Sequence, residues 1–105
     1  MSTRATIACK QNDGRYAATY VHFDGYPERT GRILNRHYTE QAGAESLVSD
    51  GDIRCFDDDG VPERYKDGHA TEIVPTYAAL LTVAERRTAE FVYVFEGGKW
   101  DCHTM

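Results

Sequence analysis

Apolar and polar positions alternate with the period of a strand at both ends of the chain. Thr6 to Lys10 and Arg15 to Phe23 read as two strands. Asn12-Asp13-Gly14 between them supplies residues that tolerate the positive φ of a hairpin turn. Along the second strand Tyr16, Ala18, Tyr20 and His22 share one face, and Ala17, Thr19, Val21 and Phe23 share the other. Bulk on both faces predicts a central strand. A second hairpin ends the chain. Glu90 to Glu96 sets Phe91, Tyr93 and Phe95 against Val92 and Val94, and Gly97-Gly98 is a two-residue turn signal. Lys99 to His103 returns with Trp100 and Cys102 on one face.

The middle of the chain changes period. Asp24-Gly25-Tyr26-Pro27-Glu28 breaks the second strand, and Pro27 with Glu28 suits the first turn of a helix. That helix is expected to run to Tyr38, with Thr30, Ile33, Leu34, His37 and Tyr38 facing the core. Thr39 is the expected N-cap of a second helix from Glu40 to Ser49, whose stripe is Ala44, Leu47 and Val48 and whose stop is Gly51. Short strands are expected at Ile53 to Phe56 and Ala70 to Val74, around a loop from Asp57 to Gly68. From Thr76 the spacing of Tyr77, Leu80, Leu81 and Ala84 is helical, with Arg86 and Arg87 in the last turn.

This order predicts an α+β fold in a single domain over 1–105. The simplest arrangement is an antiparallel sheet built from the N- and C-terminal hairpins, with about three helices packed on one face, one of them setting Tyr77, Leu80, Leu81 and Ala84 on the sheet that includes Val21, Phe91 and Tyr93. Hydrophobic residues make up 41% of the 105 and charged residues 28%, which suits a chain that builds one core without staples. No apolar run approaches the ~20 residues of a membrane span. The N-terminus lacks a signal peptide's apolar stretch. The expectation is a cytoplasmic protein with no membrane contact.

The net charge of −5 sits in one stretch. Residues 50 to 72 hold eight acids and three bases, while the other 82 residues are balanced at nine and nine. Direct binding of nucleic acid, which needs a basic footprint, is therefore not expected. An acidic segment instead suits a basic protein surface, although the plainer reading is a solvated loop. Cys9, Cys55 and Cys102 are odd in number and widely spaced, so free buried thiols are expected rather than disulfides or a zinc site.

Three constellations carry candidate chemistry. His22-Phe23-Asp24-Gly25-Tyr26-Pro27-Glu28-Arg29 places an imidazole beside carboxylates, as a general base requires, but turn and helix-start chemistry accounts for the same residues. Arg29, Arg32 and Arg36 fall on one helix face, where they suit phosphate, an acidic partner, a solvated surface, or neutralisation of the chain's own acids. Asp57-Asp58-Asp59-Gly60 resembles part of a calcium loop, but Cys55 and Lys66 then stand where carboxylates are needed, and that reading fails. No catalytic residues, metal ligands or cofactor are assigned.

Met1-Ser2-Thr3-Arg4-Ala5-Thr6-Ile7 and His22-Phe23-Asp24-Gly25-Tyr26-Pro27 resemble a group of small phage and prophage proteins. Gly31, Ile33-Leu34, His37-Tyr38, Leu47-Val48, Gly51-Asp52-Ile53, Phe91-Val92-Tyr93 and Gly97-Gly98-Lys99-Trp100 are similar too. Phe23 stands where that pattern has Trp, and Cys55 to Thr88 is not anchored by it. The resemblance implies a genetic context rather than a catalytic residue. It leads to the expectation of an anti-CRISPR-type inhibitor in the host cytoplasm. Its target would be a host protein complex, such as a CRISPR-Cas or other nucleic-acid-binding effector. The expected partner-binding residues are Asp57, Asp58, Asp59, Glu63, Arg29, Arg32 and Arg36. The alternatives are a structural or housekeeping phage protein and a small enzyme using His22 and Asp24.

Overall fold

The computed structural model of the chain describes residues 3–105, so Met1 and Ser2 of the opening motif lie outside the described residues. Strands β1 (Ala5–Lys10) and β2 (Tyr16–Val21) form the expected first hairpin, in register from Ala5↔Val21 to Lys10↔Tyr16. Strands β6 (Phe91–Glu96) and β7 (Lys99–Thr104) form the last, turning through Gly97 and Gly98 at φ 64° and 81°. Between them run a π-helical turn (Pro27–Gly31), α1 (Arg32–His37), α2 (Gln41–Val48), β3 (Ile53–Phe56), β4 (Pro62–Arg64), β5 (Glu72–Val74) and α3 (Tyr77–Arg86). The fold is α+β.

The seven strands among the described residues form one sheet in the order β4-β3-β2-β1-β6-β7, with β5 also on β2. Each hairpin is antiparallel, as expected, but the sheet as a whole is mixed. β1 and β6 run parallel, from Ala5↔Phe91 to Cys9↔Phe95, and β2 meets β3 in parallel at Val21↔Ile53. Strands apolar on both faces suit such a buried parallel centre. The outer edge of β2 is divided. Tyr16 to Ala18 pair with β5 and Val21 with β3, and between them the Thr19 hydroxyl donates to the Gly51 carbonyl at 2.5 Å.

The helices cover both faces of the sheet, not one. Ile7, Val21, Tyr93 and Phe95 pack with Ile33 and Leu34 of α1 and with Ala44, Leu47 and Val48 of α2. Ala8, Ala18, Val92 and Val94 pack on the other face with Leu80, Val83 and Ala84 of α3. The expected docking of α3 on the Val21, Phe91 and Tyr93 side is thus corrected. Because the central strands are apolar on both faces, each face requires a cover. The buried stripe of α3 also differs from the expected one. Leu80 is fully buried, Leu81 is only partly so and Tyr77 is 40% exposed. Thr76 caps this helix by accepting from the Ala79 amide at 3.1 Å.

Local departures have local causes. The first helix is not uniform, because the Arg32 amide reaches back to the carbonyls of both Pro27 and Arg29. His37 is exposed rather than core-facing. The N-cap position of α2 is Glu40, not Thr39, and no side chain caps it. The expected loop after Asp57 contains β4, which makes a hairpin with β3. Of the three free cysteines only Cys9 is buried, and burial pushes its thiol up to about 11. No helix among the described residues is long and apolar enough to cross a membrane.

Candidate functional site

The His22–Pro27 segment is a strand-to-helix junction. Asp24 takes φ 58°, the left-handed conformation that Asp tolerates better than most residues. Gly25 is required for a different reason: a Cβ there would lie 2.8 Å from the Ala5 Cβ and 2.8 Å from the Thr3 carbonyl oxygen. The buried Tyr93 hydroxyl donates to the Gly25 carbonyl at 2.6 Å, and burial pushes that phenol well above its ordinary pKa. Thr30 donates to the Asp24 carbonyl at 2.7 Å. The His22 ring pairs with the Tyr20 hydroxyl, Nδ1 to Oη 2.8 Å, rather than with Asp24. The histidine–carboxylate pair that sequence proximity suggested is not formed.

Of the seven expected partner-binding residues the structure pairs Arg29 with Asp58, where the β3–β4 turn meets the first helical segment; among the described residues no hydrogen bond or ion pair joins Arg32, Arg36 or Glu63 to them. Arg29 donates to the Asp58 carboxylate at 2.9 Å and to the Phe56 carbonyl at 3.1 Å. The Tyr38 hydroxyl holds the Gly60 carbonyl at 2.6 Å. Gly60 itself, at φ 78°, lies against the His37 ring, and a Cβ there would come within 2.6 Å of that ring. The turn is closed from inside by Asp57, whose Oδ1 accepts from the amides of Asp59 and Val61, each at 2.9 Å. Asp57 therefore shapes the turn, while Asp58 and Asp59 present their carboxylates outward. Glu63 on β4 pairs with Arg54 at 3.4 Å. Arg32 and Arg36 are exposed and make no ion pair among the described residues.

This arrangement changes the picture of the acidic stretch. Four of its eight acids are ion-paired: Asp52 with Arg87, Asp58 with Arg29, Glu63 with Arg54 and Glu72 with Arg86. Three of those arginines lie outside the stretch. The surface is one of mixed charge rather than an uninterrupted anionic loop. Exposed pairs such as Arg29–Asp58, whose carboxylate is 94% exposed, contribute about 0–1 kcal/mol each and so remain free to exchange partners.

A concavity lies at the end of the sheet where β1 and β3 begin. It is an open cleft of about 720 Å³ between the 65–69 loop and the C-terminal end of α3. At its base the buried Asp52 carboxylate is held by Nη1 and Nη2 of Arg87, at 2.9 and 2.8 Å, and by the His69 amide at 3.0 Å. Burial alone would raise the Asp52 pKa. The hydrogen bonds from Arg87 and the His69 amide outweigh burial and hold the carboxyl below its ordinary range. Arg87 in turn lies over the Tyr20 ring, 4.1 Å from its centroid. Arg4 donates to the Thr88 hydroxyl at the rim, and Thr88 adopts φ 57°.

Sequence spacing does not point to this cleft, because its lining comes from separate segments of the chain. Asp52 reads along the sequence as one acid among eight, and Arg87 as a helix-ending charge. The paired spacing of Tyr20 and His22 on one strand face is the single local signal. Comparison with known proteins finds no matching family model, no significantly similar curated protein and no significantly similar solved structure.

Proposed function

We propose that the chain is a non-enzymatic, anti-CRISPR-type inhibitor of phage origin. It binds a host protein machine that handles nucleic acid and works in the host cytoplasm by occupancy rather than turnover. The observation that carries the reading is the Arg29–Asp58 contact, which joins the Asp57–Asp59 turn and the arginine-bearing helix into one exposed surface. Outward carboxylates at Asp58 and Asp59 suit the cationic groove of a nucleic-acid-binding effector. Arg32 and Arg36, exposed on α1, suit its acidic margin. A surface of alternating sign selects its partner by register, since wrong juxtapositions of like charge cost several kcal/mol (roughly).

The test is inhibition in a defined system. Purified protein is titrated into CRISPR-Cas effectors cleaving a target DNA, alongside the Asp58→Lys/Asp59→Lys double variant. The expected result is stoichiometric inhibition of one effector, with a complex stable to gel filtration, and its loss in the double variant at unchanged thermal stability. Inhibition at substoichiometric amounts, or full inhibition by the double variant, overturns the reading. So does the absence of inhibition across the effectors.

A further inference from the structure

The cleft beside Asp52 has the opposite electrostatic character from the chain as a whole. The net charge is −5, yet the cleft is lined by four cationic side chains and two carboxylates. Two of those cations are already engaged, Arg87 by Asp52 and Arg86 by Glu72. Arg4 and Lys66 have no carboxylate partner among the described residues. Arg4 is nonetheless fixed at the rim by its hydrogen bond to Thr88. Two cations without carboxylate partners, one of them held in place, suit an anion.

The remaining wall is aromatic. Tyr65 is 38% exposed, and its ring sits edge-on to His22 at a centroid distance of 6.2 Å. The Tyr20 ring is buried under Arg87, so Tyr65 is the exposed tyrosine of the cleft. Asp67, the lining carboxylate with no ion pair among the described residues, offers an acceptor of the kind a sugar hydroxyl needs. The volume of about 720 Å³ falls within the usual range for a small-molecule site. Cations without carboxylate partners, an exposed aromatic ring and a lone acceptor in one concavity match a ligand that combines phosphate, ring and sugar.

We propose that this cleft binds a mononucleotide, with its phosphate held by Arg4 and Lys66 and its base stacked on Tyr65. The Asp52–Arg87 pair forms the rigid floor. The proposal does not rest on the inhibitory reading, because none of the cleft's lining residues belongs to the surface around Arg29 and Asp58.

The experiment is an amide-resolved NMR titration of the full chain with AMP, adenosine and inorganic phosphate, each run separately. AMP is expected to give saturable shifts at residues 65–69 and 86–88 and to bind more tightly than either fragment. Lys66→Glu should weaken AMP by about tenfold, the scale of a lost charge-assisted hydrogen bond. Tyr65→Ala should weaken AMP by about fivefold or more through lost stacking, and leave inorganic phosphate unaffected. Both side chains are exposed, so thermal unfolding should be unchanged. Absence of saturable shifts with AMP overturns the proposal. Phosphate binding as tightly as AMP, with Tyr65→Ala silent, also overturns it by reducing the cleft to a simple anion site. Neither outcome bears on inhibition of an effector.

Discussion

Arg87 grips both carboxylate oxygens of Asp52, at 2.9 and 2.8 Å, and so ties the C-terminal end of α3 to the residue before β3. The two residues lie 35 positions apart, and Asp52 is only 6% exposed. The end of a helix and the start of a strand are closed by one bidentate ion pair. Asp52→Asn is expected to cost about 3 kcal/mol, near the low end for breaking a buried pair because solvent reaches Arg87. Chemical denaturation of the two proteins measures it.

The same pair predicts an acid limb of stability. The Asp52 carboxyl is held below its ordinary pKa in the folded protein, so the unfolded chain binds the extra proton first as the solution is acidified. The contribution is fully present above the unfolded value of about 4 and is lost as the pH falls through the lowered folded pKa. Urea unfolding between pH 7 and pH 2 (roughly the span of that transition) should show a steeper loss in the native chain than in Asp52→Asn. Parallel curves would mean that other carboxylates produce the limb.

Gly25 and Gly14 separate two reasons for a glycine. At Gly25 the obstacle is space, with two neighbours at 2.8 Å from an added Cβ, so Gly25→Ala should cost about 2–3 kcal/mol through overpacking at the junction. At Gly14 the φ is 88° but nothing lies within 4 Å, and Gly14→Ala should cost about 1–2 kcal/mol from backbone strain alone. Tyr93→Phe should cost about 1–3 kcal/mol by leaving the Gly25 carbonyl without its donor. Thermal unfolding of the three variants ranks these effects.

Adjacent leucines on α3 should behave differently. Leu80 is fully buried among Ala8, Ala18 and Val92, and Leu80→Ala should cost about 2–5 kcal/mol. Leu81 is only partly buried at the margin of that cluster, and Leu81→Ala should cost about 1 kcal/mol. Equal losses would show that α3 is rotated from the orientation described.

Within the charged surface the three aspartates are not equivalent. Asp57 closes the β3–β4 turn, so Asp57→Ala should lower stability by about 1 kcal/mol, the scale of a lost cap. Asp58→Asn with Asp59→Asn should leave stability unchanged, slow association with an effector and flatten its salt dependence. Stopped-flow association at two ionic strengths measures this. An unchanged rate at low salt would shift recognition to Arg32 and Arg36, which Arg32→Glu then tests.

Much of the framework was legible along the chain because strand and helix periods are local. The alternation in β1, β2 and β6, the Gly97-Gly98 turn and the Ala44, Leu47 and Val48 stripe all depend on neighbours a few residues away. Alternation states which residues share a face. It does not state which helix covers that face when Ile7 and Ala8, or Tyr93 and Val94, are equally apolar. Hence the placement of α3 opposite α1 and α2, and the parallel pairing of β1 with β6, were decided by tertiary packing. The charged residues divide the same way. Net charge was fixed by composition, but Asp52 became a buried anchor, Asp57 a turn closure and Asp58 a surface carboxylate through contacts that only the closed chain makes. Long-range pairing of Arg87 with Asp52, and of Arg29 with Asp58, leaves no spacing in the sequence because it depends on where distant segments meet.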